Sequence, residues 1–482
     1  MVYLSADNNL SEECVWSLKE IFRAPHNAQI GVVVQIDPRA KSIRRFDVSA
    51  FHKRNTGAAG HRVKAAALPE GGLSDGRLLG RAMKTRDNTD DMASVKTLIE
   101  FIEKCKGLHP AKQYLLVLSG HGSGSIGRAL LADEFSSRGS GVHALTLPGL
   151  RNALMATNGV DIVGFDACGM GMAEVGHQIR EHAKFLVASE GFEQNTGWPY
   201  FEILSKLNET PTMSPKDLAA AIVDTHTTYY SDFLMAGVST DIAACNLSLS
   251  GELASRVKRL VDRCLDKLPT FRDRPTNEKL PRDKRTYLED LPLTRRGVAD
   301  AVILAHWRAQ SYRFEQHTDL YDFCDLLEKG VNDAEVRDAC KAIKDLITGP
   351  VPKNKSFGSY IVKSGRTGGT FQYSNGLAIY FPWSEFDEEY NKLSFASAAS
   401  WGPFLERYVR KTRRRPRDGD GERHTVAIFD DDPSVVRDNP HLGVKDNPHL
   451  GTKDNPHLGT KEQKLLAARM KNPPDIFFEA SE

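Results

Sequence analysis

Short apolar runs separated by amphipathic stretches govern what the first half of this chain can fold into. VYLSA (2–6), IGVVVQI (30–36), YLLVLS (114–119), VDIVGFDA (160–167) and FLVAS (185–189) are rich in Val, Ile, Leu and Phe and too short for core helices. Between them, 10–22, 93–105, 147–157 and 173–182 repeat apolar residues at helical spacing. Strands of this kind joined by crossover helices build a parallel sheet covered on both faces, so the expected fold class is an α/β sandwich. SIRRFDV (42–48) alternates and is expected to pair with 30–36 as a hairpin. In such a sheet the functional loops lie beyond the carboxyl ends of the strands.

The pattern changes further on. From about 213 to 265 it reads as helical, and LPTFRDRPTNEKLPRDKRTYLEDLPLTRRG (268–297) interrupts it with prolines and mixed charge, as an exposed insertion would. Helical periodicity resumes over 298–346, GTFQYSNGLAIYFPW (369–383) offers two short strands, and a last helix is expected near 401–410. The expected organisation is a catalytic core over 1–210, an accessory helical and β region over 211–410 and a flexible tail over 411–482. Within the tail RDNPHLGV, KDNPHLGT and KDNPHLGT repeat across 437–460, each with a single Leu, too little to build a core. Their histidines, His441, His449 and His457, leave a metal-binding option, but a spacer is the better reading. EQKLLAARMK (462–471) and DIFF (475–478) read as a short helix and an apolar patch.

Composition excludes some function classes. With 64 Lys+Arg against 63 Asp+Glu there is no basic excess of the kind that marks a nucleic-acid footprint. No apolar run reaches the ~18 residues needed to span a bilayer, and MVYLSADNNL lacks a basic segment followed by a long apolar one. The 7 cysteines are scattered, without a C-x-x-C pair or metal-ligand spacing. A reducing cytoplasm and no structural zinc are the expectation.

The segment YLLVLSGHGSGSIG (114–127) poses the functional question. Gly122, Gly124 and Gly127 fit G-x-G-x-x-G after a strand, the spacing of a dinucleotide loop. That reading requires a helix opening within the glycines and an acid about 20 residues on. Asp133 and Glu134 come too early, and RALLADEF is too short before Ser136 to be the crossover helix. What the segment does present is His121 just past a strand. One crossover later VDIVGFDACGMGMAEV presents Cys168 in the same position, between Ala167 and Gly169. A thiol at a strand end feeding a helix N-terminus has its thiolate favoured by the helix dipole and nearby N–H groups. A lone cysteine or histidine is ordinarily structural. Together, each glycine-flanked and past a strand of the same sheet, the two read as a nucleophile and its general base. The N–H groups of Gly122 and Cys168 are then the expected oxyanion donors. The other six cysteines lie in helical or apolar patterns and read as core.

At these residues the chain resembles the clostripain family of cysteine peptidases, which have a caspase-like fold. VYLSADNNL (2–10), VVQIDPRAKSIRRFDV (33–48), LVLSGHGSG (116–124), LTLPGLRNAL (145–154), VDIVGFDACGMGMAEV (160–175), ASEGFEQNTGWPY (188–200), DLYDF (319–323), GLAIYFP (376–382) and YNKLSFA (390–396) carry the resemblance, in order, over about 2–410. It implies a caspase-like αβα sandwich, a dyad falling on His121 and Cys168, and cleavage after a basic residue. Asp166, two residues before Cys168, is expected to project with it and to hold an arginine guanidinium; capping the following helix is its alternative use. Ser189 and Glu190 are the other expected substrate-binding residues. Family members often carry a second acid before the Gly-Trp of the GWPY-like segment, where this chain has Asn195 and Thr196. Some relatives use calcium, yet no carboxylates here are spaced as a calcium loop, so no cofactor is expected.

The expected function is therefore a cytoplasmic cysteine endopeptidase cutting protein or peptide substrates after Arg or Lys. The Ser/Gly-rich segment 134–144 carries one basic residue, Arg138, and reads as the site of an activating cut. An upstream protease and a regulatory or defence cascade would be its context. The alternative from another class is a noncatalytic caspase-like scaffold.

Overall fold

The computed structural model describes residues 1–38, 43–55, 91–126, 130–131, 143–265, 267, 297–312, 316–349, 359–382 and 387–412. The 268–297 insertion apart from Gly297, Arg138, the repeats and the two terminal segments lie outside the described residues.

The sheet expected from the apolar runs is present. β1 (Val2–Leu4), β2 (Val33–Ile36), β3 (Arg44–Asp47), β4 (Leu115–Ser119), β5 (Val160–Asp166), β6 (Ala183–Ala188), β7 (Thr240–Asn246) and β10 (Ile361–Thr367) form one eight-stranded sheet in the order β10-β7-β6-β5-β4-β1-β2-β3. β1, β2, β4, β5 and β6 run parallel, and β2–β3 is the expected antiparallel hairpin. Alternation sorts side chains to two faces. Leu116, Leu118, Val163, Phe165 and Leu186 point to one apolar layer, while Val117, Ile162 and Val187 point to the other. Helices α1 (Ser11–Arg23), α2 (Tyr200–Glu209) and α3 (Pro215–Ser231) cover the second face through Leu18, Ile21, Phe22, Ile203 and Ile222. The first face is covered by α4 (Ser250–Leu265) and by the helices at Val95–Leu108, Leu147–Ala156 and Ala173–Ile179. β5 is buried at every residue, so its apolar side chains serve both layers and it shows no polar–apolar alternation. Truncating Phe165, fully buried there, would cost about 3–5 kcal/mol.

Two expectations change. The stretch 213–265 is not all helix: β7 lies between α3 and α4 and pairs antiparallel with β6. TDIAACN is small-residue rich and buried along almost its whole length, so it lacks the alternation that would mark a strand. The 369–383 stretch yields one strand rather than two, β11 (Ala378–Tyr380), which joins β8 (Ser311–Tyr312) and β9 (His317–Asp319) in a second, three-stranded sheet. β7 and β10 extend the central sheet, and Ala378 N–H donates to Gly171 O at 2.8 Å. The accessory strands thus touch the loop that follows Cys168.

Candidate active site

β4 and β5 are parallel neighbours with Ser119 opposite Asp166, so both strands release the chain at the same level. Beyond them the two loops meet at a glycine. A Cβ on Gly122 would fall 2.2 Å from Cys168 O and 2.9 Å from Cys168 N, distances no real side chain tolerates. The sequence places His121 and Cys168 on separate loops, and this contact makes those loops one site. It also sets the Gly122 and Cys168 backbones together.

His121 is half-buried, and its Nε2 lies 2.6 Å from the side-chain oxygen of Asn9, which enters from the segment after β1. A carbonyl oxygen only accepts, so Nε2 carries the hydrogen and Nδ1 is the basic nitrogen. Asn9 is one functional residue that sequence reasoning missed; ADNNL gave no hint of its partner, 112 residues away.

Cys168 is the one free cysteine that is not buried. The helix after it starts at Ala173 and is only seven residues long, so its dipole is not the local influence that the strand-to-helix pattern suggested. The N–H of Glu193 donates to Sγ at 3.3 Å, and the thiol in turn lies 3.8 Å from Glu193 O as donor. Glu193 was not anticipated either. Its carboxylate turns inward, with Ser189 Oγ donating to Oε2 at 2.6 Å and His226 Nε2 2.6 Å from Oε1.

The three expected substrate-binding residues are placed differently. Asp166 is 5% exposed and accepts from Trp198 N at 3.1 Å, Tyr200 OH at 2.8 Å and Ser119 Oγ at 2.9 Å. Burial, and after it the neighbouring Glu193 carboxylate, push Asp166 above the usual carboxylate range. Its carboxylate ties the GWPY segment to β5. It does not cap the following helix. Gly197 is required there: its φ is +67°, and a Cβ would meet Asp166 Oδ2 at 2.8 Å. Ser189 and Glu190 are fully buried. Ser189 serves Glu193 as described, and Glu190 Oε2 accepts from Gly376 N at 2.6 Å. Burial together with Asp319 and Asp241 pushes the Glu190 carboxyl well above its usual range. Thr196, near the place of the second acid, bonds Tyr230 OH at 2.8 Å.

Among the described residues no group of three or more His, Cys, Asp or Glu is disposed around a common centre. The converging acids Glu190, Asp241 and Asp319 each accept from backbone N–H groups. No described helix is long and apolar enough to cross a membrane.

The sequence profile of the Clostripain family matches residues 2–408. The chain belongs to that family. Clostripain from Hathewaya histolytica is 27% identical over 224 residues, which is 43% of this chain and 41% of that protein, so the alignment spans less than half of this curated relative. The fold is shared with a secreted C11 cysteine protease from Bacteroides thetaiotaomicron solved with an irreversible peptide inhibitor, at a TM-score of 0.55 and 16% identity over 83% of this chain and 98% of that one. An inactive zymogen C11 protease from Parabacteroides distasonis superposes with a TM-score of 0.51 at 17% identity, over 83% and 96% of the two chains. The clostripain-family sheet, with a histidine and a cysteine past adjacent parallel strands, is thus the frame of this site.

Proposed function

We propose that this chain is a cysteine endopeptidase that cleaves after basic residues, Arg before Lys, through His121 and Cys168. The observation that carries the reading is the packing of Gly122 against the Cys168 backbone, which brings the two strand-end loops into one site. Cys168 Sγ attacks the scissile carbonyl as its proton passes to His121 Nδ1, with Asn9 holding the opposite nitrogen. The N–H groups of Gly122 and Cys168 receive the developing oxyanion. The imidazolium then gives its proton to the leaving amine, the C–N bond breaks, and a thioester remains. Water, deprotonated by the same nitrogen, attacks the thioester, releasing the acid and restoring the thiol.

A preference for basic side chains is supported by the electrostatics of the floor. The buried carboxyl groups of Asp166, Glu193 and Asp241 lie close to one another, and the Glu193 N–H reaches the Cys168 sulfur. An activating cut after Arg138 is supported by the position of that residue between the two catalytic strands, and the solved Parabacteroides distasonis relative is described as an inactive zymogen. An upstream protease, a regulatory or defence cascade and a cytoplasmic setting complete the proposal, the last supported by seven cysteines that are all free thiols.

A peptide-library digest read by mass spectrometry tests activity and specificity together. Cuts after Arg and Lys by the wild type, absent with folded Cys168→Ala and His121→Ala, are expected. Turnover by folded Cys168→Ala refutes the mechanism, and cuts without basic preference refute the specificity. On a denaturing gel, Arg138→Ala should remain a single chain.

A further inference from the structure

Beneath the nucleophile lies a network that the dyad mechanism does not use. Residues 189–200 pass under Cys168, and carboxylates hold the segment at three points. Near its start, Asp241 on β7 accepts from the N–H of Glu190 at 2.8 Å and of Gly191 at 3.0 Å. At its end, Asp166 takes Trp198 N–H and Tyr200 OH, and Tyr230 OH of α3 donates to Gly197 O at 2.6 Å. In the middle, the segment supplies its own carboxylate, Glu193, bonded to Ser189 Oγ and paired with His226 Nε2. The side chains of His226 and Glu193 are 0% and 3% exposed.

Glu193 differs from the other two acids in one respect. The residue whose carboxylate is pinned is also the residue whose N–H donates to Cys168 Sγ at 3.3 Å, the closer of its two contacts there, its C=O accepting from the thiol at 3.8 Å. A hydrogen bond to the charged form of a group favours that form. A buried carboxylate deprived of its partner is costly, so losing His226 would drive Glu193 toward water and carry its peptide with it.

We propose that His226 and Ser189 are positioning residues for the nucleophile: by fixing the Glu193 carboxylate they hold the Glu193 N–H on Sγ and so favour the thiolate. Asp166, Asp241 and Tyr230 are the other titratable groups facing the pair. They remain in place in the variants below, so a difference between variants reports the anchor. The proposal rests on Cys168 as the nucleophile.

The test uses the full chain as wild type, His226→Ala, His226→Gln and Ser189→Ala. Iodoacetamide labelling of Cys168 is followed by peptide mass spectrometry as a function of pH, beside kcat and KM on an arginyl peptide. In His226→Ala the labelling profile should move up by about one pH unit, the order of one lost charge-assisted hydrogen bond. Its kcat at neutral pH should fall about tenfold, with KM changed by less than about twofold. Ser189→Ala should move the profile in the same direction by less. His226→Gln, which keeps a donor toward Glu193 Oε1, should move it back toward wild type. A wild-type profile in folded His226→Ala, or in Ser189→Ala where His226→Ala does not fold, overturns the proposal. If labelling Cys168 leaves wild-type hydrolysis intact, the dyad falls and the proposal with it. If labelling abolishes hydrolysis but the variants label as wild type does, only the positioning role falls.

Discussion

Glu174 offers a sharp test of how the site is braced. It lies six residues past Cys168 in the helix Ala173–Ile179, fully buried, and its Oε1 accepts from Tyr380 N at 2.9 Å and Tyr390 OH at 2.8 Å. Its Oε2 has no hydrogen-bond partner among the described residues. Burial pushes the carboxyl from 4.5 up to about 7. Unfolded, the group ionises near 4.5. Between that pH and 7 the native state keeps a proton that the unfolded state has lost, so stability falls as pH rises. The contribution is complete below 4.5 and gone above 7, a difference of about 3 kcal/mol at 1.36 kcal/mol per pH unit. Glu174→Gln keeps the acceptor for Tyr380 and Tyr390 and removes the titration. Urea unfolding of both proteins in a Cys168→Ala background, at about pH 4.5, 6 and 8, should show the variant gaining on its parent by about 3 kcal/mol across the series. A stability difference that stays constant with pH refutes the reasoning.

Gly122→Ala should fold but lose most activity, because its Cβ would press 2.2 Å from Cys168 O and force the two loops apart; near-normal kcat/KM on any good substrate counts against the two-loop site. Asp166→Ala removes the acceptor for three donors, two of them hydroxyls that can turn elsewhere, and should cost about 2–4 kcal/mol of stability. Its activity should fall on all substrates alike, and a loss confined to arginyl peptides would restore it to direct substrate contact.

Much of this protein is legible in local pattern. Apolar periodicity depends on which face of an element is buried, so β1, β2, β4, β5, β6 and the β2–β3 hairpin follow from their own residues. His121 and Cys168 announce themselves because each stands among glycines just past such a strand. β7 and β10 were hidden for opposite reasons. TDIAACN is buried on nearly every residue, and IVKSGRT, on the sheet edge, is exposed at Lys363, Ser364 and Arg366. Neither gives a clean alternation. Side-chain partnerships were not legible at all. Asn9 and His121, Glu193 and His226, and Asp166 and Trp198 are separated by 112, 33 and 32 residues. A carboxylate two positions before a nucleophile looks the same in the sequence whether it meets a substrate's guanidinium or the protein's own N–H. Only the folded chain decides, because a buried carboxylate takes the donors that packing brings to it, and here those include Ser119, Trp198 and Tyr200.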